Sequence, residues 1–281
     1  MTDLSPANAA QIDYWNAVAG ETWARFQDQL DRQIETLGGE ALRVLAPTVG
    51  ERVLDIGCGC GQTSLALAAR VGAGGGVVGI DISKPMLDVA RGRKVPTGAA
   101  TPDFREADAQ SADLGRSAFD TAYSRFGVMF FGDPAAAFSN IRKAMRPGGR
   151  LAFVCWRPLA ENPWMRLPLE AAQRHLPPPA PFDPDAPGPF AFADPERVRR
   201  ILDNAGFRNF AIDPFDARIG GGTVDETLEL SFRVGPLGAA LREHPHCVEA
   251  VTDAVRRVLS AHLTPHGVLM PAAVWIVQAV A

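Results

Sequence analysis

Val53-Leu54-Asp55-Ile56 runs directly into Gly57-Cys58-Gly59-Cys60-Gly61, and Gln62 follows. The apolar residues read as a buried strand. The alternating glycines read as a turn that opens a helix. Glycine has no Cβ and takes positive φ without penalty, so such a turn lets the backbone come close to a bound group. Asp81 lies twenty positions beyond Gly61, at the end of a second apolar strand, Val77-Val78-Gly79-Ile80. A glycine turn with a carboxylate at that distance is a plan for holding an adenosine, the acid accepting from the ribose hydroxyls.

The elements that position these residues follow from the hydrophobic pattern. Strands are predicted over 52–56, 77–80, 103–106, 119–124, 151–156, 209–215 and 273–280. Helices are predicted over 62–70, after Ser83 as a cap, and over 134–145, where Pro147-Gly148-Gly149 stops the run. Further on, Trp164 to His175 reads as a short helix, Asp194-Pro195 as a helix start, Thr223 with Glu226 as a capping box, and Val248, Val251, Val255 and Val258 as one helix face. Strands alternating with helices imply a mostly parallel sheet covered on both sides. Ligands of such sheets sit beyond the carboxyl ends of the strands, where Gly57, Asp81 and Asp108 would lie. Between Pro158 and Pro189 stand ten prolines, a stiff, irregular stretch.

Composition narrows the function classes. The chain has 281 residues, 47% hydrophobic and 21% charged, with a formal net charge of −4. That balance argues against nucleic acid as the main partner. Arg142, Lys143, Arg146 and Arg150 read as cations near a helix C-terminus. No apolar run approaches the ~18 residues of a membrane span, and the first residues show no secretory pattern. Cys58, Cys60, Cys155 and Cys247 give no disulfide framework, so a reducing cytoplasm is expected. No metal site is expected, because Cys58 and Cys60 lack matching partners and His244, His246 and Cys247 read as a solvated loop.

Dinucleotide enzymes favour Gly-x-Gly-x-x-Gly, whereas here Gln62 stands where the third glycine would fall. The segment 55–61 instead resembles the first motif of the class I S-adenosylmethionine-dependent methyltransferases. Gly79-Ile80-Asp81-Ile82-Ser83 with Met86-Leu87 and Ala90-Arg91 resembles their second motif, and Glu106-Ala107-Asp108-Ala109 their adenine motif. Leu114 with Phe119-Asp120 is similar to their fourth strand. Met145 to Leu151 is similar to the helix stop and fifth strand of the branch that includes quinone-biosynthesis methyltransferases.

The resemblance implies a Rossmann-like, seven-stranded α/β fold that binds S-adenosylmethionine and releases S-adenosylhomocysteine. The implied cofactor residues are Asp55, Gly57, Cys58, Gly59 and Gly61 around the methionine part, Asp81 on the ribose, and Ile82, Met86, Asp108 and Ala109 around the adenine. Ser124 and Arg125 would end the fourth strand beside the sulfonium. Tyr14 and Trp23 would belong to an N-terminal helical lid over residues 1–45 that shields the sulfonium. The core would span 46–156, a proline-rich substrate-pocket insertion 157–193, and the C-terminal part of the same sheet domain, with a helical insertion, 194–281. Arg125, Trp156 and Trp164 are acceptor-pocket candidates. Arg125 and His175 are weak catalytic candidates in a mechanism that works mainly by positioning. The expected partner is a small organic methyl acceptor, with oligomeric state open. The alternatives are a nicotinamide-dependent oxidoreductase and a non-catalytic cofactor-binding regulator. A nucleic-acid methyltransferase is disfavoured, because Ser124-Arg125-Phe126-Gly127 stands where an Asn-Pro-Pro-Tyr-type motif would be.

Overall fold

The computed structural model describes residues 8–178 and 183–281. The reading of the first residues, and Pro179 and Pro181 of the proline-rich stretch, lie outside the described residues. The sheet consists of β1 (Arg52–Ile56), β2 (Gly76–Asp81), β3 (Asp103–Glu106), β4 (Phe119–Arg125), β5 (Met145–Trp156), β6 (Arg208–Gly222), β7 (Leu263–Thr264) and β8 (Gly267–Val280). Its order is β3-β2-β1-β4-β5-β8-β6, with β7 paired to β8. Strands β1 to β5 are parallel. Strand β8 runs antiparallel to both β5 and β6. The order reverses between β1 and β4, and a crevice opens at their carboxyl ends.

The helices are α1 (Ala9–Asn16), α2 (Val18–Arg25), α3 (Gln27–Leu45), α4 (Gln62–Val71), α5 (Lys84–Gly92), α6 (Pro134–Ala144), α7 (Pro163–Ala172), α8 (Pro195–Asn204), α9 (Val224–Ser231), α10 (Gly235–Glu243) and α11 (Val248–Ser260). No helix among the described residues is long and apolar enough to cross a membrane. Helix α3 buries Leu30, Ile34, Leu37, Ala41 and Leu45, one face at helical spacing, against the sheet. It packs as part of the body of the fold, and its Leu30, Gln33 and Ile34 line the crevice together with residues of α1 and α2. On the other side, α6 and α8 bury Phe138, Phe153, Phe192 and Phe207 in one aromatic cluster.

A second core joins α7, α9, α10 and α11 around Ala172, Leu228, Leu237, Leu241, Val251 and Val255. Two segments far apart in sequence therefore build one helical layer beside the crevice. Helix α10 has no counterpart in the sequence reading, since Gly235-Pro236 resembles a break. Proline is nevertheless tolerated in a first helical turn. Strands β6 and β8 extend well beyond the predicted ranges as a two-stranded ribbon, and β7 is added to the seven strands expected. Strand β6 is mostly exposed or half-buried, so its sequence lacks the apolar density of a core strand, whereas β8 is largely buried and apolar. The capping box at Thr223 and Glu226 and the Asp194 cap are as expected. Ser83 occupies the cap position of α5, but its hydroxyl donates to the Trp15 carbonyl at 2.7 Å instead of capping.

The crevice floor depends on one backbone contact. A Cβ built on Gly57 would lie 2.8 Å from the Gly127 Cα, and one built on Gly127 would lie 2.9 Å from the Gly57 Cα. Gly57 also has φ +64°. The turns after β1 and β4 can therefore touch only if both residues are glycine. Gly127→Ala is expected to destabilise the protein by about 2–3 kcal/mol through backbone displacement. A urea midpoint unchanged from wild type would refute this contact.

Candidate functional site

At the carboxyl ends of β1, β2 and β4 lies a cleft of about 250 Å³. Its sheet-side wall holds Gly57, Asp81, Ile82, Met86, Asp108, Ala109 and Arg125. Its other walls hold Tyr14, Trp15 and Trp23 from α1 and α2, Trp156, Trp164 and Met165 beside α7, and Arg242 on α10. Most of the predicted site residues are thus together. Asp55, Cys58, Gly59, Gly61, Ser124 and His175 do not line the cleft, each for a visible reason.

Asp55 is fully buried behind the glycine turn. One carboxylate oxygen accepts from Thr63 Oγ1 (2.7 Å) and Ser64 Oγ (2.6 Å), and the other has no partner. Burial pushes its pKa up to about 6, against the pull of those hydroxyls and of Arg125. Gly59 is turned toward Asp81, and its N–H donates to that carboxylate at 2.8 Å. The Ser124 hydroxyl donates to the Ile56 carbonyl at 2.7 Å, so it ties β4 to β1 instead of facing a ligand. The four cysteines are free and buried. Burial raises the Cys60 thiol to about 12 and raises Cys58 as well, which favours the neutral thiol at both. Among the described residues no cluster of His, Cys, Asp and Glu could hold a metal ion. His175 is exposed at the end of a short helical turn away from the cleft, which removes it as a base.

Two carboxylates remain on the sheet-side wall. Asp81 accepts from Gly59 N and Ser83 N, both at 2.8 Å. Burial raises its pKa, and these backbone donors counter the rise. Two oxygens offer about four lone-pair directions, so Asp81 keeps capacity for a diol. Asp108 is held by the Gln110 backbone and side-chain amides at 3.0–3.1 Å. Nothing in the sequence marks Gln110, because its role depends on the fold of the turn that brings its amide back to Asp108. Between these acids Ile82 and Met86 supply apolar surface for a flat ring. Two spaced acids, intervening apolar faces, a glycine with no side chain and a buried unpartnered Asp55 oxygen fit an adenosine carrying an amino-acid tail.

Arg125 lines the cleft but is not free. Its guanidinium donates to Gln62 and, at 2.9 Å, to Asp31 of α3. Asp31 also pairs with Arg93. Two guanidiniums thus share one mostly buried carboxylate, and the cluster joins α3, β4 and the end of α5.

The roof is held by polar contacts that the sequence does not reveal. Asn16 Nδ2 donates to the Ile82 carbonyl (2.7 Å), and its Oδ1 accepts from Lys84 N (2.9 Å). This side chain caps α5 from another helix. A Cβ on Gly20 would lie 2.5 Å from Ser83 Oγ, so α2 approaches the same point closely. Of the lid candidates, Tyr14 is 41% exposed and bonds Arg242 at the rim. Trp15 sits further in, edge-on to Trp23 (6.0 Å) and Phe130 (5.0 Å). Opposite them, Phe126 stacks on Trp156 at 4.2 Å, and Trp156 meets Trp164 at 5.1 Å. Phe126 takes φ +64° to do so.

Comparison with known proteins agrees with this geometry. The pattern of a methyltransferase domain family matches residues 54–153. The O-methyltransferase cnsE of Penicillium expansum is 31% identical over 211 residues, covering 74% of this chain and 67% of that protein. The demethylmenaquinone methyltransferase of Corynebacterium kroppenstedtii is 31% identical over 184 residues, covering 62% of this chain and 76% of that one. Two further curated relatives match over only about half of their own length, 54% and 53%. The YcgJ protein of Bacillus subtilis shares the fold, with TM-score 0.58 at 18% identity over 88% of this chain and 98% of that one.

Two outcomes follow. Asp55→Asn keeps an acceptor for Thr63 and Ser64 but removes a buried charge. A carboxyl whose pKa rises on folding costs stability as pH climbs from its unfolded value toward its folded one. The variant is therefore expected to be more stable at pH 7.5, on the order of 2 kcal/mol, with the gain shrinking as pH falls from 6 toward 4. Thermal melts across that range decide it, and a pH-independent difference counts against it. Asn16→Ala removes both clasp bonds, worth about 1–2 kcal/mol together. Hydrogen exchange over residues 9–25 should speed up about tenfold while α6 is unaffected.

Proposed function

The chain belongs to the class I S-adenosylmethionine-dependent methyltransferase family, and on that premise we propose that it transfers a methyl group from S-adenosylmethionine to a small organic acceptor. The observation that carries the proposal is the pairing of Asp81 and Asp108 with Ile82, Met86 and Gly57 along one wall of a cleft whose other walls are aromatic. The nicotinamide alternative finds no support, either in the glycine spacing or among the relatives described above.

In this reading Asp81 accepts from both ribose hydroxyls, a charge-assisted contact. Ile82 and Met86 pack on the adenine faces. Asp108 accepts from the adenine amino group while Gln110 holds it in place. The Ala109 N–H donates to a ring nitrogen. The turn at Gly57 gives the methionine part its backbone surface. Gly59 and Gly61 shape that turn, and Cys58 and Cys60 pack behind it. Asp55 supplies negative charge for the ammonium, which offsets the cost of its burial. When bound, the cofactor presents an electrophilic methyl, which an acceptor lone pair takes as the carbon–sulfur pair returns to sulfur.

The chain's contribution is placement and exclusion of water. Among the described residues the cleft lining contains no His, Lys or Glu, and its carboxylates face the adenosine wall. A dedicated base is therefore not part of the proposal. Trp156 and Trp164 form the acceptor's floor, and Trp15 and Trp23 close over it. Arg125 is assigned a positioning role through Asp31 and Gln62. In this reading residues 46–156 are the cofactor core. The acceptor wall is assigned to 157–178 together with 223–262. The proposed location is the cytoplasm.

Calorimetric titration with S-adenosylmethionine, S-adenosylhomocysteine and NAD tests the proposal. The first two should bind and NAD should not. Asp81→Ala should weaken binding by about tenfold or more, about 1.4 kcal/mol. Binding of NAD alone would sink the proposal.

A further inference from the structure

The cleft is lined by two guanidinium groups in different electrostatic situations. Arg125 is committed to Asp31 and Gln62. Arg242 enters from α10, in the helical layer, and its recorded partners are neutral oxygens. It donates to the Arg233 carbonyl (3.0 Å) and the Tyr14 hydroxyl (3.2 Å). Its charged carbon lies 5.9 Å from the Tyr14 ring centroid. Among the described residues no carboxylate pairs with it. Tyr14 thus holds the guanidinium at the rim and leaves its charge uncompensated.

The other groups around this charge narrow what can sit there. Asp81 and Asp108 are engaged on the opposite, sheet-side wall by backbone and Gln110 donors. Trp15, Trp23, Phe130, Trp156 and Trp164 offer ring faces and edges for a flat body. Past Trp164 the cleft adjoins a recess of about 30 Å³ lined by Leu237, Val268 and Met270, with Gln33, Trp164 and Met165 shared between the two. That recess has room for no more than a methyl-sized group. A bound sulfonium would add positive charge to that of the Arg242 rim, while Asp81 and Asp108 lie on the opposite, sheet-side wall. Coulomb attraction then favours an anionic acceptor and disfavours an ammonium.

We propose that Arg242 anchors an acidic group of the acceptor, and that the acceptor is an aromatic acid bound as its anion. This rests on the methyl-transfer reading above. The anchor is a specificity contact. It selects and orients the acceptor, and it takes no part in bond making.

The test uses the full chain saturated with S-adenosylhomocysteine, titrated with 1-hydroxy-2-naphthoate, 1-naphthol and the protonated amine 1-naphthylmethylamine. The acid should bind about fivefold or more tightly than the naphthol, and the amine most weakly. R242Q should abolish the preference for the acid while S-adenosylhomocysteine affinity is unchanged, and R242K should retain part of it. Y14F controls for a role of Arg242 in merely holding the rim and should keep the preference. Equal binding of acid and naphthol, a preference that survives in R242Q, or tightest binding of the amine would each overturn the anchor. Loss of S-adenosylhomocysteine affinity in R242Q would also overturn it, since the arginine would then serve the cofactor. Failure of wild type to bind S-adenosylhomocysteine at all would instead remove the methyl-transfer reading, and this inference with it.

Discussion

The geometry of the cleft depends on the Asp81 carboxylate at the end of β2. It accepts from the Gly59 N–H of one turn and from the Ser83 N–H that opens α5. Two separate chain reversals are thereby fixed to one charge. Burial acts against that charge, and the backbone donors sustain it. Around this point the Trp15 carbonyl takes the Ser83 hydroxyl, and Asn16 caps α5 from α1. Floor, sheet-side wall and roof thus meet within a few residues of the same group.

Much of this was legible because it is local. Strands β1 and β3 coincide with the predicted ranges, since their ends are marked by a glycine turn and by polar flanks. The Thr223 capping box is legible for the same reason, because its two partners are three residues apart. The reading failed where a residue's partner is distant in sequence. Ser124 looks like a strand-end polar group and turns out to bond β1. Gly127 looks like an ordinary loop glycine until the opposing Gly57 is seen. Asn16, Gln110 and Arg242 have side chains that sequence alone gives no reason to single out, and each acts through a three-dimensional neighbour.

The ionic cluster of Arg93, Asp31 and Arg125 shows why the N-terminal region divides in two. Helix α3 enters the body both through its apolar face and through one mostly buried carboxylate. Removing either arginine would still leave that acid paired, whereas removing Asp31 would strand two cations. Helix α1 buries no residue of its own. It is held instead by Asn16, by the Trp15 carbonyl and by aromatic edges. One segment therefore behaves as framework and the other as cover, although both are helical and adjacent in sequence.

Phe126 shows a tension at a single position. With φ +64° and ψ 0°, its backbone sits where glycine or asparagine would be more comfortable, a strain of about 1 kcal/mol. The same conformation lays its ring flat on Trp156. A chain optimised only for folding would carry a smaller residue here and lose one panel of the aromatic wall. Replacements that raise melting temperature at this site should therefore open the aromatic wall of the cleft. In any stabilising redesign of the protein, residue 126 belongs with the positions held fixed, even though energetics alone would mark it for change.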